Sequence, residues 1–179
     1  SRVEYVKDIE IDRGIAKEYY NQIFEKGVGE SGELLMSRII HELSDLTGGQ
    51  DNVVADVGQH QMFAAKFYKY ERFNTWFNSG GLGTMGFGLP AAIGVKLARP
   101  NEEVWSVNGD GGFQMNIQEL GTIFQENLNV NILILNNSYL GMVRQWQDWF
   151  FDKNRAEVDM INPDFGHIAK AYHIEYKKV

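Results

Sequence analysis

Apolar residues follow two rhythms along this chain. Leu35, Ile39, Leu43 and Leu46 recur at helical spacing and predict a helix over 33–46, with Ser31 as N-cap and Gly48-Gly49 as its stop. Elsewhere the apolar residues run together: 52–57, 104–108 and 130–135 read as strands buried on both faces. Residues 72–78, aromatic and containing threonine, predict a further strand. Between these runs lie helical patterns: a short one through Tyr68, one with Pro90 in its first turn that reaches Ala98, and one over 113–127. Residues 141–151 and a segment from Asn162-Pro163-Asp164 to Tyr172 add two more helices, and 174–179 reads as the start of a strand. Residues 1–30 are charged and weakly patterned, a linker with a surface helix over 13–26. Strand and helix alternate from residue 31 on, which predicts an α/β fold of three layers, α/β/α, around a mainly parallel sheet.

Parallel strands joined by helices end on one edge of the sheet, where ligands of such folds bind. The loops at 58–60, 79–86, 109–112 and 136–141 all fall at that edge. Asp110 closes one buried run, and Asn136-Asn137 closes the next, with Asp110 and Asn137 lying 27 positions apart. A carboxylate and a carboxamide are hard oxygen donors, too few to cage a metal alone. They suit Mg²⁺ that takes its other ligands from water and a substrate's phosphates. Gly111 and Gly112 free backbone N–H groups at a helix N-terminus for close approach to a diphosphate. Taken singly, Asp-Gly and Asn-Asn are ordinary turn formers; it is the pairing that favours a metal–diphosphate site.

A rival pattern is Gly81-Leu82-Gly83-Thr84-Met85-Gly86, which matches the dinucleotide fingerprint, with Glu102 and Glu103 about 20 residues on as ribose-binding acids. Those glutamates, however, start a strand and so lie at the wrong edge. The loop also reads as a tight turn that needs positive φ.

Composition narrows the classes. A chain of 179 residues is long enough for one core, and 44% hydrophobic with 23% charged residues is ordinary for a globular domain. A net charge of −7 and the absence of a basic run argue against nucleic-acid partners. No apolar run has membrane-spanning length. The lack of cysteine excludes disulfides and thiolate metal sites and fits a cytoplasmic protein. Trp76, Phe77, Trp146, Trp149, Phe150 and Phe151 lie near the glycine-rich loops and suggest surfaces meant to be covered. His60 is the only histidine inside a motif; His41, His167 and His173 read as solvated or locally bonded.

Four blocks give the chain a family resemblance: Gly58-Gln59-His60-Gln61-Met62, the 79–92 stretch from Ser79 through Met85 and Pro90, Gly109-Asp110-Gly111 with Met115-Asn116 and Asn136-Asn137 beyond it, and Leu140-Gly141-Met142 with Gln145-Trp146-Gln147. From about residue 33 on it resembles the C-terminal, diphosphate-binding domain of thiamine-diphosphate enzymes, and within these the acetohydroxyacid (acetolactate) synthase large subunits. The resemblance implies Mg²⁺ ligands at Asp110, Asn137 and the backbone carbonyl of Tyr139. It implies that Gln59, His60, Gly111 and Gly112 hold the diphosphate of thiamine diphosphate. Met85 matches the apolar wedge that bends the cofactor, and the Gly83 carbonyl the acceptor for its 4′-amino group; Met142 matches a cofactor-binding position and, with Trp146, the second-substrate pocket. On composition and pattern alone, Met85 reads as core, and the Met142–Trp146 face as packing against a partner.

The implied reaction decarboxylates pyruvate and condenses its two-carbon unit with a second 2-oxo acid, pyruvate or 2-oxobutyrate. The family's activating glutamate belongs to a separate pyrimidine-binding domain supplied by a homodimer partner, and most of its FAD contacts to a middle domain. Neither is in this sequence, so no catalytic residue is expected here. The chain also stops within an expected strand. It therefore reads as a domain over 31–179, cut from a longer chain that works with its remaining domains and a regulatory small subunit, and inactive by itself. Another thiamine-diphosphate decarboxylase or carboligase, or a stand-alone binding subunit, stays open.

Overall fold

The computed structural model describes residues 34–179. Four strands, β1 (Asn52–Ala55), β2 (Trp76–Asn78), β3 (Val104–Gly109) and β4 (Asn131–Leu135), form one sheet in the order β2-β1-β3-β4. Every pairing is parallel. The helices are α1 (Met36–Thr47), α2 (Gln59–Phe67), α3 (Gly88–Ala98), α4 (Asp110–Met115), α5 (Glu119–Gln125), α6 (Gly141–Phe150) and α7 (Phe165–Ala171).

The continuous apolar runs form the middle layer because both faces of the sheet are covered. Val53, Ala55, Val107 and Leu135 pack against Ile40 and Leu43 of α1 and Ala64 and Phe67 of α2. Their neighbours point the other way: Val54 and Val104 meet Ala92 of α3. Ile132 and Ile134 lie against a cluster of Leu89, Ile93, Phe113, Leu120, Ile123 and Phe165. The expected α/β/α layering is what the chain adopts.

Several expected bounds shift. Helix α1 starts at Met36, with Leu35 at its N-cap, and Ser31 lies outside the described residues, as does the 13–26 helix. Its buried stripe carries Ile40, while Leu46 is 76% exposed. Strand β2 keeps only three of the seven residues expected. The 113–127 helix is two pieces, α4 and α5. The break is tertiary: Asn116 Nδ2 donates to the Gly86 carbonyl at 2.8 Å, turning residue 116 out of the helix. Residues 174–179 pair with no strand among the described residues. Trp76 and Phe77 are partly buried against the core and do not form an open surface. Among the described residues no helix is long and apolar enough to cross a membrane.

The two leucine-type positions of α1 give a direct test. Ile40 is fully buried, so Ile40→Ala should cost about 2–5 kcal/mol, whereas Leu46→Ala should stay within about 0.5 kcal/mol. Urea unfolding of both variants checks this, and equal costs would contradict the packing described.

Candidate functional site

All four strands deliver their following loops to one edge. The β1–β3 register, with Ala55 opposite Val107, sets Asp56 against the end of β3, where its N–H donates to the Val107 carbonyl at 2.9 Å. The β3–β4 register, with Gly109 opposite Leu135, then brings Asp110 alongside Asn136-Asn137. A cavity of about 200 Å³ opens where these segments meet. Gln59, His60, Gly83, Met85, Asp110, Gly111, Gly112, Asn137, Tyr139 and Met142 all line it. Trp146 does not: it sits one turn beyond Met142 on α6, 57% exposed, against Phe150 at 5.5 Å.

Asp110 is the first residue of α4 and is 1% exposed. Its Oδ2 accepts from Asn162 Nδ2 at 2.6 Å. The same amide donates to Asn136 Oδ1 at 3.0 Å, and Asn162 Oδ1 accepts from Gln114 at 2.9 Å. The asparagine pair does make the turns its composition predicts: Asn136 Oδ1 accepts from Ser138 N and Asn137 Oδ1 from Tyr139 N. Tyr139 faces Asp159 in an antiparallel bridge whose hydrogen bonds run through its neighbours, Leu140 N to Val158 O and Met160 N to Ser138 O. The Tyr139 carbonyl therefore points away from that segment. Among the described residues no three His, Cys, Asp or Glu side chains cluster as a metal site. A cation here would draw on amide and carbonyl oxygens and on ligands from outside the chain.

The cradle is shaped by missing side chains. A Cβ on Gly111 would lie 3.0 Å from Leu140 Cδ2 and Met160 Sδ, and one on Gly112 would overlap Asp56 Oδ2. Helix α4 has only six residues, so the dipole expected of a long 113–127 helix is small. What the segment offers a ligand is backbone approach.

His60 is not in a loop, as the sequence suggests, but in the first turn of α2. It is 5% exposed and lines the cavity, and its buried Nε2 has no hydrogen-bond partner among the described residues. Burial pushes the imidazole from its ordinary 6.5 down to about 4, opposed by a bond to the Asp56 backbone. A buried polar nitrogen without a partner is expensive, and its presence beside a cavity points to a ligand. His41 is buried, not solvated, with Nδ1 3.2 Å from Asp45; His167 lies 3.0 Å from Asp164, and His173 packs on the Phe124 ring.

Two residues escape the sequence reading. Asp56 is fully buried, and desolvation raises its carboxyl above the ordinary carboxylate range. Asp56 closes a buried run as Asp110 does, but Val57 separates it from Gly58, so it lacks the acid–glycine pair that marks Asp110. Asn162 gave none, since its contact with Asp110 spans 52 positions. The dinucleotide alternative loses its acids. Glu102 pairs with Arg72 and accepts from Asn52 at 2.9 Å, and Glu103 accepts from Asn131, both at the opposite edge of the sheet. Gly83 and Gly86, at φ 62 and 85, make the loop the positive-φ turn.

Neutral His60 is the form this fold accommodates. Its depressed value means that stability tied to it is fully present above about pH 6.5 and is lost as pH falls through about 4. The loss is about 3 kcal/mol. The difference in urea-unfolding free energy between the unaltered chain and His60→Gln should change by about that amount between pH 7 and 4. A difference that is constant with pH would show that burial of His60 carries no such linkage.

Residues 56–179 match the family described as thiamine pyrophosphate enzyme, C-terminal TPP binding domain. The chain is similar to the acetolactate synthase isozyme 3 large subunit of Escherichia coli strain K12, 55% identical over 135 residues, 75% of this chain and 24% of that protein. It is 48% identical to the acetolactate synthase of Mycobacterium leprae over 145 residues, 78% of this chain and 23% of that protein. It is 55% identical to the chloroplastic acetolactate synthase 2 of Nicotiana tabacum over 124 residues, 69% of this chain and 19% of that protein. The chain thus spans about a quarter or less of the length of these relatives. With its parallel sheet, its glycine cradle and this match over more than half its length, the chain belongs to the C-terminal thiamine-pyrophosphate-binding domains of thiamine pyrophosphate enzymes.

Proposed function

We propose that this chain is the diphosphate- and Mg²⁺-holding part of an acetolactate synthase, a synthase of branched-chain amino-acid biosynthesis that joins pyruvate to a second 2-oxo acid. The observation that carries the reading is the convergence on one cavity of Asp110, Asn137, the 109–112 glycines and His60, whose buried Nε2 is orphaned. The residues fit the group: Gly111 and Gly112 line the cavity with bare backbone, and hard oxygen donors stand beside them. Asp110, Asn137 and the Tyr139 carbonyl would hold Mg²⁺, and Gln59, His60, Gly111 and Gly112 the diphosphate. Gly83 and Met85, on the loop across the cavity, would meet the aminopyrimidine, and the adaptable Met side chain suits a wedge against rings.

When bound, thiamine diphosphate supplies the carbon nucleophile and electron sink for decarboxylation and carbon–carbon bond formation. The chain's own residues orient and neutralise. Asp110 contributes the one formal negative charge among the proposed ligands, and Asn162 and Gln114 fix the direction of its carboxyl. Gln59 Nε2 donates to Gln145 Oε1 at 2.8 Å, which ties the diphosphate side of the cavity to α6. Met142 and Trp146, four apart on α6, would present an apolar face to the second 2-oxo acid.

Trp146, Trp149, Phe150 and Phe151 are each more than half exposed beside this site. That supports a covering surface, which we take to be the pyrimidine-binding domain of a homodimer partner. FAD would bind mostly outside residues 34–179. The name of the E. coli relative, a large subunit, supports a smaller partner subunit, which we take to be regulatory, and the cysteine-free composition suits a cytoplasmic setting.

Titration calorimetry of this chain with thiamine diphosphate should give binding that needs Mg²⁺ and vanishes in EDTA. Asp110→Ala should weaken it by about 10- to 150-fold, the scale of a lost interaction with a charged group. Equal binding with and without EDTA would remove the metal from the site.

In a longer chain that supplies the remaining domains, Trp146→Leu should lower the preference for 2-oxobutyrate over pyruvate by about 10- to 200-fold at most, with pyruvate decarboxylation largely kept. Product ratios under competition measure it. An unchanged ratio would leave Trp146 a packing residue.

A further inference from the structure

Asp56 lies beneath the site and has no part in the roles assigned so far. It is 0% exposed, at the carboxyl end of β1, between two glycine-bearing segments. On one side, its Oδ1 accepts from the Gly88 N–H at 3.4 Å, and the amides of Val57, Gly86 and Phe87 also favour its charged form. On the other, Oδ2 lies against Gly112, where any Cβ would overlap it, and finds no hydrogen-bond partner among the described residues. Gly88 is as tightly held: a Cβ there would come within 2.8 Å of Asp56 Cβ.

A buried carboxyl is costly unless neighbouring donors satisfy it. Here the neighbours are backbone amides of the turn that ends the 83–88 loop; the Phe87 N–H also donates to the Thr84 carbonyl at 3.3 Å. Asn116 holds the same loop from outside, through the Gly86 carbonyl. The carboxyl therefore fixes the donors of the loop while Asn116 fixes an acceptor.

We propose that Asp56 is a positioning residue: its carboxyl locks the 83–88 loop, which carries Gly83 and Met85, at a set distance from the Gly111-Gly112 cradle. On the thiamine-diphosphate reading, on which this consequence rests, Asp56 joins the part of the site that meets the aminopyrimidine to the part that meets the diphosphate, without touching either. It also explains the demand for glycine at 112 from below the cavity rather than from the ligand side.

Amide hydrogen exchange on this chain is the primary test. Asp56→Ala should speed exchange at residues 86–88 at least about tenfold, the effect of losing a hydrogen bond to a buried charged group. Amides of β4 should stay within about twofold, and Asp56→Asn, which keeps an acceptor for Gly88, should restore most of the protection. Asp56→Ser, which shortens the arm, takes the place of Asp56→Ala if the latter fails to fold. The second readout compares affinity for thiamine diphosphate with affinity for inorganic diphosphate, both with Mg²⁺. The substitution should weaken the first about tenfold and leave the second unchanged, a split that general loosening of the fold would not give. Unchanged exchange at 86–88, exchange raised equally in β4, or equal loss of both ligands would overturn the proposal. If the unaltered chain binds neither ligand, the thiamine-diphosphate reading is what fails, and the exchange pattern still decides whether Asp56 holds the loop.

Discussion

The pairing of β1 with β3 is the constraint on which the rest of the structure depends. These are the two central strands, covered on both faces, and their register aligns Asn52 with Val104 and Ala55 with Val107. Slipping that register by one residue would carry Val53 and Ala55 to the face that Val54 occupies. It would also carry Asp56 away from Gly112 and His60 away from Gly109, against which its ring packs closely. The interior therefore fixes more than stability. It decides which loop residues meet at the sheet edge and how closely their backbones approach.

That edge has an economy typical of parallel sheets. No proposed site residue comes from a strand interior. Gln59, His60, Asp110 and Asn137 sit within a few residues of a strand end, where the backbone has just left the ladder, and Met85, Met142 and Trp146 lie further along the loops and helices that follow. The polar groups gathered there are held by short bonds within and between loops: Asn162 to Asp110, Gln59 to Gln145, and Asn116 to the Gly86 carbonyl. Each of these is a link between segments far apart in sequence.

This separation explains what could be read from the sequence and what could not. The layer order and the four loops at one edge followed from runs of buried apolar residues, a local signal. The position of Asp110 beside Asn137 followed from the same reasoning, because two strands and a connection suffice to place them. Asp56 and Asn162 were missed because their importance lies in what they touch, not in their neighbours along the chain. The 113–127 helix failed for a related reason: its apolar spacing is helical throughout, but Asn116 finds a better partner in the Gly86 carbonyl than in its own helix. On α1 the helical period was right and its phase was off, since Ile39 and Ile40 offered two overlapping stripes and packing chose the one that buries Ile40. The 174–179 segment has the composition of a strand and no neighbour to pair with among the described residues.

Among the described residues β4 is an edge strand, and nothing pairs with its outer side. Four of its five residues, Ile132, Leu133, Ile134 and Leu135, are aliphatic, and none of the five carries a charge. An uncharged aliphatic border of this kind is a template for adding another strand. Wherever that border is left open, copies of the chain can extend the sheet edge to edge into ordered aggregates. A lysine at the amino-terminal end of that border, the end away from the cavity that Leu135 lines, is the change that would keep such preparations dispersed.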